Sequence, residues 1–155
     1  DEHWQRSLDV NLTAVMRLTR ACIPFLKLGF DPAVVFVASK NVPAPGPGAV
    51  AYSAAKAGMT QLMRVTALEL GENGVRVNAV HPNAVYDTGL WSEELLAERA
   101  AHYGQTVAEY KANNVLKTEV RSQDVARAVL HLSSNEFSCT TGAQVPVDGG
   151  NERII

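Results

Sequence analysis

Tyr52 and Lys56 stand four residues apart in Tyr52-Ser53-Ala54-Ala55-Lys56, and Ser39 lies thirteen residues upstream at the end of an apolar run. On a helix, positions i and i+4 share a face, so this spacing sets the Lys56 ammonium beside the Tyr52 phenol. A neighbouring cation favours the phenolate form of a tyrosine, whose ordinary pKa is about 10, and brings it toward proton exchange near neutrality. A serine hydroxyl aimed at the same point would orient a substrate oxygen. Together the three groups describe proton transfer at one carbinol or carbonyl. Tyrosine and lysine fall four apart on many solvated helices, so the pair gains its weight only from the elements around it.

Those elements alternate. Residues 2 to 27 read as a helix, with Trp4, Leu8, Leu12, Val15, Leu18 and Cys22 at steps of three or four, Asn11 within it and Pro24 placed to kink its end. The run Ala33 to Ala38 has the pattern of a buried parallel strand, which sets Ser39 at the carboxyl edge of a sheet. A stiff Pro/Gly loop at 43 to 47 precedes a helix from about 49 to 70. Gly71 and Gly74 punctuate the end of that helix, and a strand over 75 to 81 follows. Short helices are expected around 93 to 103 and 107 to 113. Ser122 reads as an N-cap with Asp124 in the first turn of a helix to about Ser133, and 144 to 147 forms the last short strand. Strand and helix in alternation predict an α/β fold whose parallel sheet is covered on both faces.

Asn11, Ser39, Tyr52-x-x-x-Lys56, Gly74-Val75-Arg76-Val77-Asn78-Ala79-Val80-His81-Pro82 and Gln144-Val145-Pro146-Val147-Asp148-Gly149-Gly150 follow one another in a characteristic order. In that order and at those spacings the chain resembles the short-chain dehydrogenase/reductase family from end to end. The resemblance implies an NAD- or NADP-dependent oxidoreductase acting on a small alcohol or aldehyde. Tyr52 would be the general acid/base, and Lys56 would tune it and hold the nicotinamide ribose. Ser39 would orient the substrate oxygen, and Asn11 would hold a water through its main chain in a proton relay ending at Lys56. The loop Pro82-Asn83-Ala84-Val85 replaces the family's usual Pro-Gly, and asparagine tolerates the left-handed conformation such a turn uses. Pro82, Asn83 and Val85 would meet the nicotinamide, Thr88 would reach its carboxamide or the pyrophosphate, and Trp91 would line the substrate pocket.

A complete member of that family opens with a strand, a glycine-rich turn and a helix whose amino terminus meets the pyrophosphate. None of these is found in the 155 residues, whose first segment already leads into the helix of Asn11. The chain therefore reads as the carboxyl-terminal half of a Rossmann-like doubly wound sheet, a single partial domain over 1–155 with a substrate-binding lid at 82–121. By itself such a half is expected to be inactive and to leave the strand ending in Ser39 with an open edge. A narrower resemblance is carried by Pro82-Asn83-Ala84-Val85, Gly89-Leu90-Trp91, Arg99-Ala100-Ala101-His102-Tyr103-Gly104 and Val115-Leu116-Lys117. These stretches look like the dehydrogenase portion of bifunctional rhamnulose-1-phosphate aldolase/alcohol dehydrogenases. That likeness implies a fused upstream aldolase domain and the oxidation of a small 2-hydroxy aldehyde such as lactaldehyde.

Composition bounds the alternatives. Hydrophobic residues make up 46% of the chain and charged residues 19%, with a formal net charge of -2. Those values argue against pervasive disorder and against a nucleic-acid surface. No apolar run approaches the about 20 residues of a membrane span, so a soluble, cytoplasmic protein is expected. Cys22 and Cys139 lack metal-ligand spacing and read as small buried residues rather than as a bridge. His3, His102 and His131 suggest no metal site, and His81 reads as structural or exposed. The small residues of the Tyr52 helix fit the subunit interface of the resembled family, so a homo-oligomer is expected. Two other classes stay open: a non-catalytic interaction module or inactive fragment, and an epimerase or dehydratase of the extended relatives.

Overall fold

A computed structural model describes residues 1–151. Its element order is α1 (Glu2–Leu8), a π-helical turn (Asp9–Thr13), α2 (Ala14–Leu26), β1 (Ala33–Val37), α3 (Val50–Leu70), β2 (Arg76–Pro82), α4 (Glu93–His102), α5 (Val107–Lys111), α6 (Ser122–Ser133) and β3 (Gln144–Val147). The three strands form one sheet in the order β1-β2-β3, parallel throughout, with Val35 opposite Asn78 and Val80 opposite Val145. The expected alternation and strand positions are met to within a residue or two.

Side chains alternate across the sheet, and each face has its own cover. Val77 and Ala79 of β2 and Phe36 of β1 pack with Met59, Met63, Ala67 and Leu70 of α3, all essentially buried. Leu12, Val15, Ile23 and Leu26 of the first helical segment close the same core. On the opposite face α6 is secured by Arg76. Its Nη1 donates to the carbonyls of Leu132 at 2.7 Å and Phe137 at 3.2 Å, and its Nη2 to that of Ser133 at 3.3 Å. Carbonyls at a helix carboxyl end lack intrahelical donors, and a buried guanidinium supplies several at once.

Three local expectations are corrected. The first helix is not uniform, because Asp9–Thr13 adopts π geometry around Asn11, and Pro24 is accommodated inside α2. Ser122 is the first residue of α6 rather than its cap. Arg121 takes the cap position, its N–H donating to Asp124 Oδ2 at 2.9 Å, while Ser122 donates through N and Oγ to the two carboxylate oxygens of Asp87, both at 2.8 Å. After β2 the left-handed residue is Ala84, with φ 56°, and not Asn83, whose N–H donates to Val147 O at 3.2 Å. That bond commits Asn83 to extending the β2-β3 ladder and displaces the turn by one residue.

Candidate active site

Ser39 lies just past β1, where the chain leaves the sheet. Ladder bonds run on either side of it, from Ala38 N to Val80 O at 2.8 Å and from Lys40 N to Pro82 O at 3.2 Å. The chain then turns, with Val42 N donating to Ser39 O at 3.1 Å and Asn41 N to Ser39 Oγ at 3.2 Å. An Oγ that accepts from the backbone keeps its own O–H proton for another acceptor, which is what orienting a substrate oxygen requires. His81, at the end of β2, touches the same turn. Its Nδ1 is 2.8 Å from Ser39 O, and the residue is 3% exposed, so of the structural and exposed readings the structure excludes the exposed one and sets His81 against the turn that carries Ser39.

Tyr52 and Lys56 lie one helical turn apart on α3, with Lys56 Nζ 5.7 Å from the centre of the Tyr52 ring. Tyr52 is 37% exposed, so its phenol is open to solvent. Lys56 Nζ donates to Val37 O at 3.0 Å. Burial of the ammonium pushes its pKa below the usual lysine range. Asn11 and Lys56 border one cavity of about 440 Å³ along β1, floored by Val35 and Val37. The Asn11 amide donates to Ser7 O at 3.2 Å across the π turn. A π turn offsets the backbone by one residue and recurs at functional sites.

A second cavity, of about 500 Å³, opens over the carboxyl ends of all three strands, bordered by Lys40 after β1, Asn83 and Ala84 after β2, and Gly150 and Asn151 after β3. Its far wall is aromatic: Trp91 meets Tyr86 edge-on at 5.0 Å, and Tyr110 lies 5.5 Å from Tyr86 and 5.9 Å from Tyr103, stacked on the latter. Burial, followed by the neighbouring tyrosines, pushes the Tyr86 phenol well above its usual range, so it acts there as a neutral hydroxyl. Asn113, Asn114 and Lys117 complete the wall. The segment from 86 to 117 is rich in aromatic and charged residues, of which the sequence points to Trp91 alone as lining a pocket. Val85 pairs with Val120 in an isolated parallel bridge, and Thr88 Oγ1 donates to Val85 O at 3.3 Å, so both are engaged in shaping the loop after β2. Among the described residues no cluster of His, Cys, Asp or Glu has metal-site geometry; Cys22 and Cys139 are free thiols, but neither is buried as expected, Cys22 being half-buried and Cys139 exposed.

The family model described as Enoyl-(Acyl carrier protein) reductase matches residues 1–152. This chain belongs to the short-chain dehydrogenase/reductase family. It is 35% identical to the uncharacterized oxidoreductase YuxG of Bacillus subtilis, covering 96% of this chain and 22% of that protein. It is 32% identical to the (-)-trans-carveol dehydrogenase of Rhodococcus erythropolis, covering 97% of this chain and 57% of that one. Among solved structures it superposes on an NADPH-bound short chain oxidoreductase of Pseudomonas aeruginosa with a TM-score of 0.85 and 34% identity, across 100% of this chain and 59% of that one. Carveol dehydrogenase of Mycobacterium avium in complex with NAD gives a TM-score of 0.84 at 30% identity, over 99% and 58% of the two chains. The chain thus spans well under two thirds of the relatives that it matches.

Proposed function

We propose that the protein carrying this chain is an NAD- or NADP-dependent oxidoreductase of alcohols or carbonyls, with Tyr52 as the general acid/base. The observation that carries this is the pairing of Tyr52 with Lys56 on α3, its ammonium drawn to the carboxyl end of β1, beside the strand end that presents Ser39. Dinucleotides bound by solved relatives support the cofactor class. When bound, a nicotinamide accepts or supplies the hydride.

The donor set on this chain suits such a group. A phenol and an ammonium beside a strand edge can hold vicinal hydroxyls, and Pro82, Asn83, Val85 and Thr88 would border the ring and its carboxamide. Ser39 would donate its free proton to the substrate oxygen. Tyr52 would then take the hydroxyl proton during oxidation and return it during reduction. Lys56, released from Val37 O, would stabilise the negative charge that develops on the phenol oxygen. Asn11, at the π turn, would hold a water between Lys56 and solvent. Residues 82–121 would act as the lid, with Trp91 against the substrate. A single site of this kind contributes about 100 to 10,000-fold through acid/base transfer alone.

The finer assignment is a small 2-hydroxy aldehyde such as lactaldehyde, whose hydrated gem-diol presents the hydroxyl that Tyr52 deprotonates. The amide and hydroxyl groups around the larger cavity suit a hydroxylated substrate better than a hydrocarbon, which would leave them without partners. The 22% coverage of the Bacillus protein fits a larger polypeptide with a fused aldolase domain. Exposed Val50, Val65 and Leu68 on α3 and Leu18 and Phe25 on α2 fit a homo-oligomer. Among the described residues no helix is long and apolar enough to cross a membrane, which suits a cytoplasmic enzyme. The test is formation of reduced nicotinamide by the full-length protein with NAD or NADP and a panel of alcohols that includes hydrated lactaldehyde. Absence of turnover with every member, in a folded protein that binds the dinucleotide, would overturn the assignment.

A further inference from the structure

We infer that His81 is a positioning residue for Ser39, acting through the main chain of the turn that presents the serine hydroxyl; the inference rests on the role proposed above for Ser39. His81 lies on the sheet face of Val77 and Ala79, two residues beyond Ala79 on β2, and is 3% exposed. Its Nδ1 meets Ser39 O at 2.8 Å. A carbonyl oxygen only accepts, so Nδ1 carries a proton and donates; of the two neutral tautomers only the Nδ1–H form makes this bond. Nε2 is buried and has no hydrogen-bond partner among the described residues. An unpartnered buried nitrogen is a cost that an aliphatic side chain of similar size would avoid. Packing alone therefore gives no reason for an imidazole at this position, whereas the bond made by Nδ1 does.

That bond falls where the ladder cannot hold the chain. Ala38 N and Lys40 N both donate to β2, but between them the Ser39 peptide turns away from it, and among the described residues Ser39 O is taken by Val42 N and by His81 alone. Without the imidazole, Ser39 O keeps a single turn bond, and the turn can rock about Ala38 and Lys40. The Oγ would then sample positions from which it cannot meet the substrate oxygen. A displacement of about 1 Å in a catalytic group can cost about 100-fold in rate.

The experiment is a double-mutant cycle in the full-length enzyme. Asparagine carries an amide nitrogen at nearly the same reach as Nδ1, so His81→Asn should retain turnover within about 3-fold, while His81→Leu should lower kcat by 10-fold or more, on the order expected for a displaced group. KM for the dinucleotide should not move. In a Ser39→Ala background, His81→Leu should have little further effect, because the group it positions is gone. Full additivity of the two losses, or equal losses for the Asn and Leu variants, would overturn the inference. Normal turnover by Ser39→Ala alone would instead overturn the serine's proposed role. A readout independent of activity is the two-bond ¹H-¹⁵N spectrum of the histidine rings: His81 should appear as the Nδ1–H tautomer, and an Nε2–H tautomer would refute the bond.

Discussion

Replacing Gly149 by alanine should damage substrate binding more than catalysis, and a second glycine provides the control. Gly149 has φ +65°, and a Cβ built on it would lie 2.7 Å from Asn114 Cγ and 2.8 Å from its Oδ1. Gly104 has nearly the same φ, +64°, but a Cβ there would meet nothing within 4 Å. Left-handed backbone costs an alanine about 1–2 kcal/mol at either site. Only at Gly149 does a clash add to it. Asn114 is buried and clasps Thr118 through two bonds, Nδ2 to Thr118 O at 2.6 Å and Thr118 N to Oδ1 at 3.3 Å. Losing or stretching these adds about 0.5–1.5 kcal/mol each. Gly104→Ala should therefore destabilise by about 1–2 kcal/mol, and Gly149→Ala by about 2–5 kcal/mol. Because Asn113, Asn114 and Val115 border the larger cavity, the Gly149 variant should also raise the substrate KM. A rise of about 10-fold corresponds to about 1.4 kcal/mol of lost binding. Urea unfolding and steady-state kinetics on both variants decide the matter. Equal unfolding losses, or an unchanged KM in Gly149→Ala, would refute the reasoning from the close approach of Gly149 to Asn114 at the cavity wall.

Three further outcomes follow from the geometry. Arg76→Met removes the donors for the Leu132 and Ser133 carbonyls at the end of α6 and for that of Phe137 just beyond it, and at about 1 kcal/mol for each of these buried or half-buried acceptors it should cost about 3 kcal/mol, or roughly 6–12 °C in Tm; a loss below about 1 kcal/mol would contradict the anchoring role. Burial lowers the Lys56 pKa in the folded chain, so the unfolded chain binds that proton more tightly, and stability should rise with pH from the lowered value up to the ordinary lysine range. Lys56→Met should flatten that rise in urea midpoints measured across alkaline pH while abolishing turnover, and an unchanged pH slope would oppose it. Trp91→Leu should raise the substrate KM and leave dinucleotide affinity unaltered, as measured by calorimetry; an equal loss of both would place Trp91 at the cofactor instead.

Most of the framework was legible because it rests on local periodicity. The apolar run 33–38 and the alternation of Val75, Val77 and Ala79 with Arg76 and Asn78 both read as strands between helices, and the i, i+4 spacing of Tyr52 and Lys56 fixes their common face whatever surrounds them. What stayed hidden depends on partners far apart in sequence. His81 looked unremarkable because its acceptor is a backbone carbonyl 42 residues away, and nothing local marks Arg76 as an anchor because its acceptors lie 56 to 61 residues on. The shift of the left-handed residue from Asn83 to Ala84 follows from a ladder bond to Val147, which no local propensity encodes. Ser122 was misread for a similar reason: its hydroxyl serves Asp87, 35 residues back, and leaves the cap to Arg121. The aromatic wall was visible as composition, but the meeting of Tyr86, Tyr103 and Tyr110 depends on how α4 and α5 fold back on each other.

The most direct measurement of the proposed chemistry is turnover by Tyr52→Phe in the full-length enzyme, across pH, with dinucleotide affinity measured alongside. The substitution removes one oxygen from a side chain that is already 37% exposed, so packing should be nearly undisturbed. We expect kcat to fall by about 100-fold or more, with the dinucleotide still bound. Near-normal turnover with an unchanged pH profile would contradict Tyr52 as the proton-transfer group and, with it, the assignment of this site.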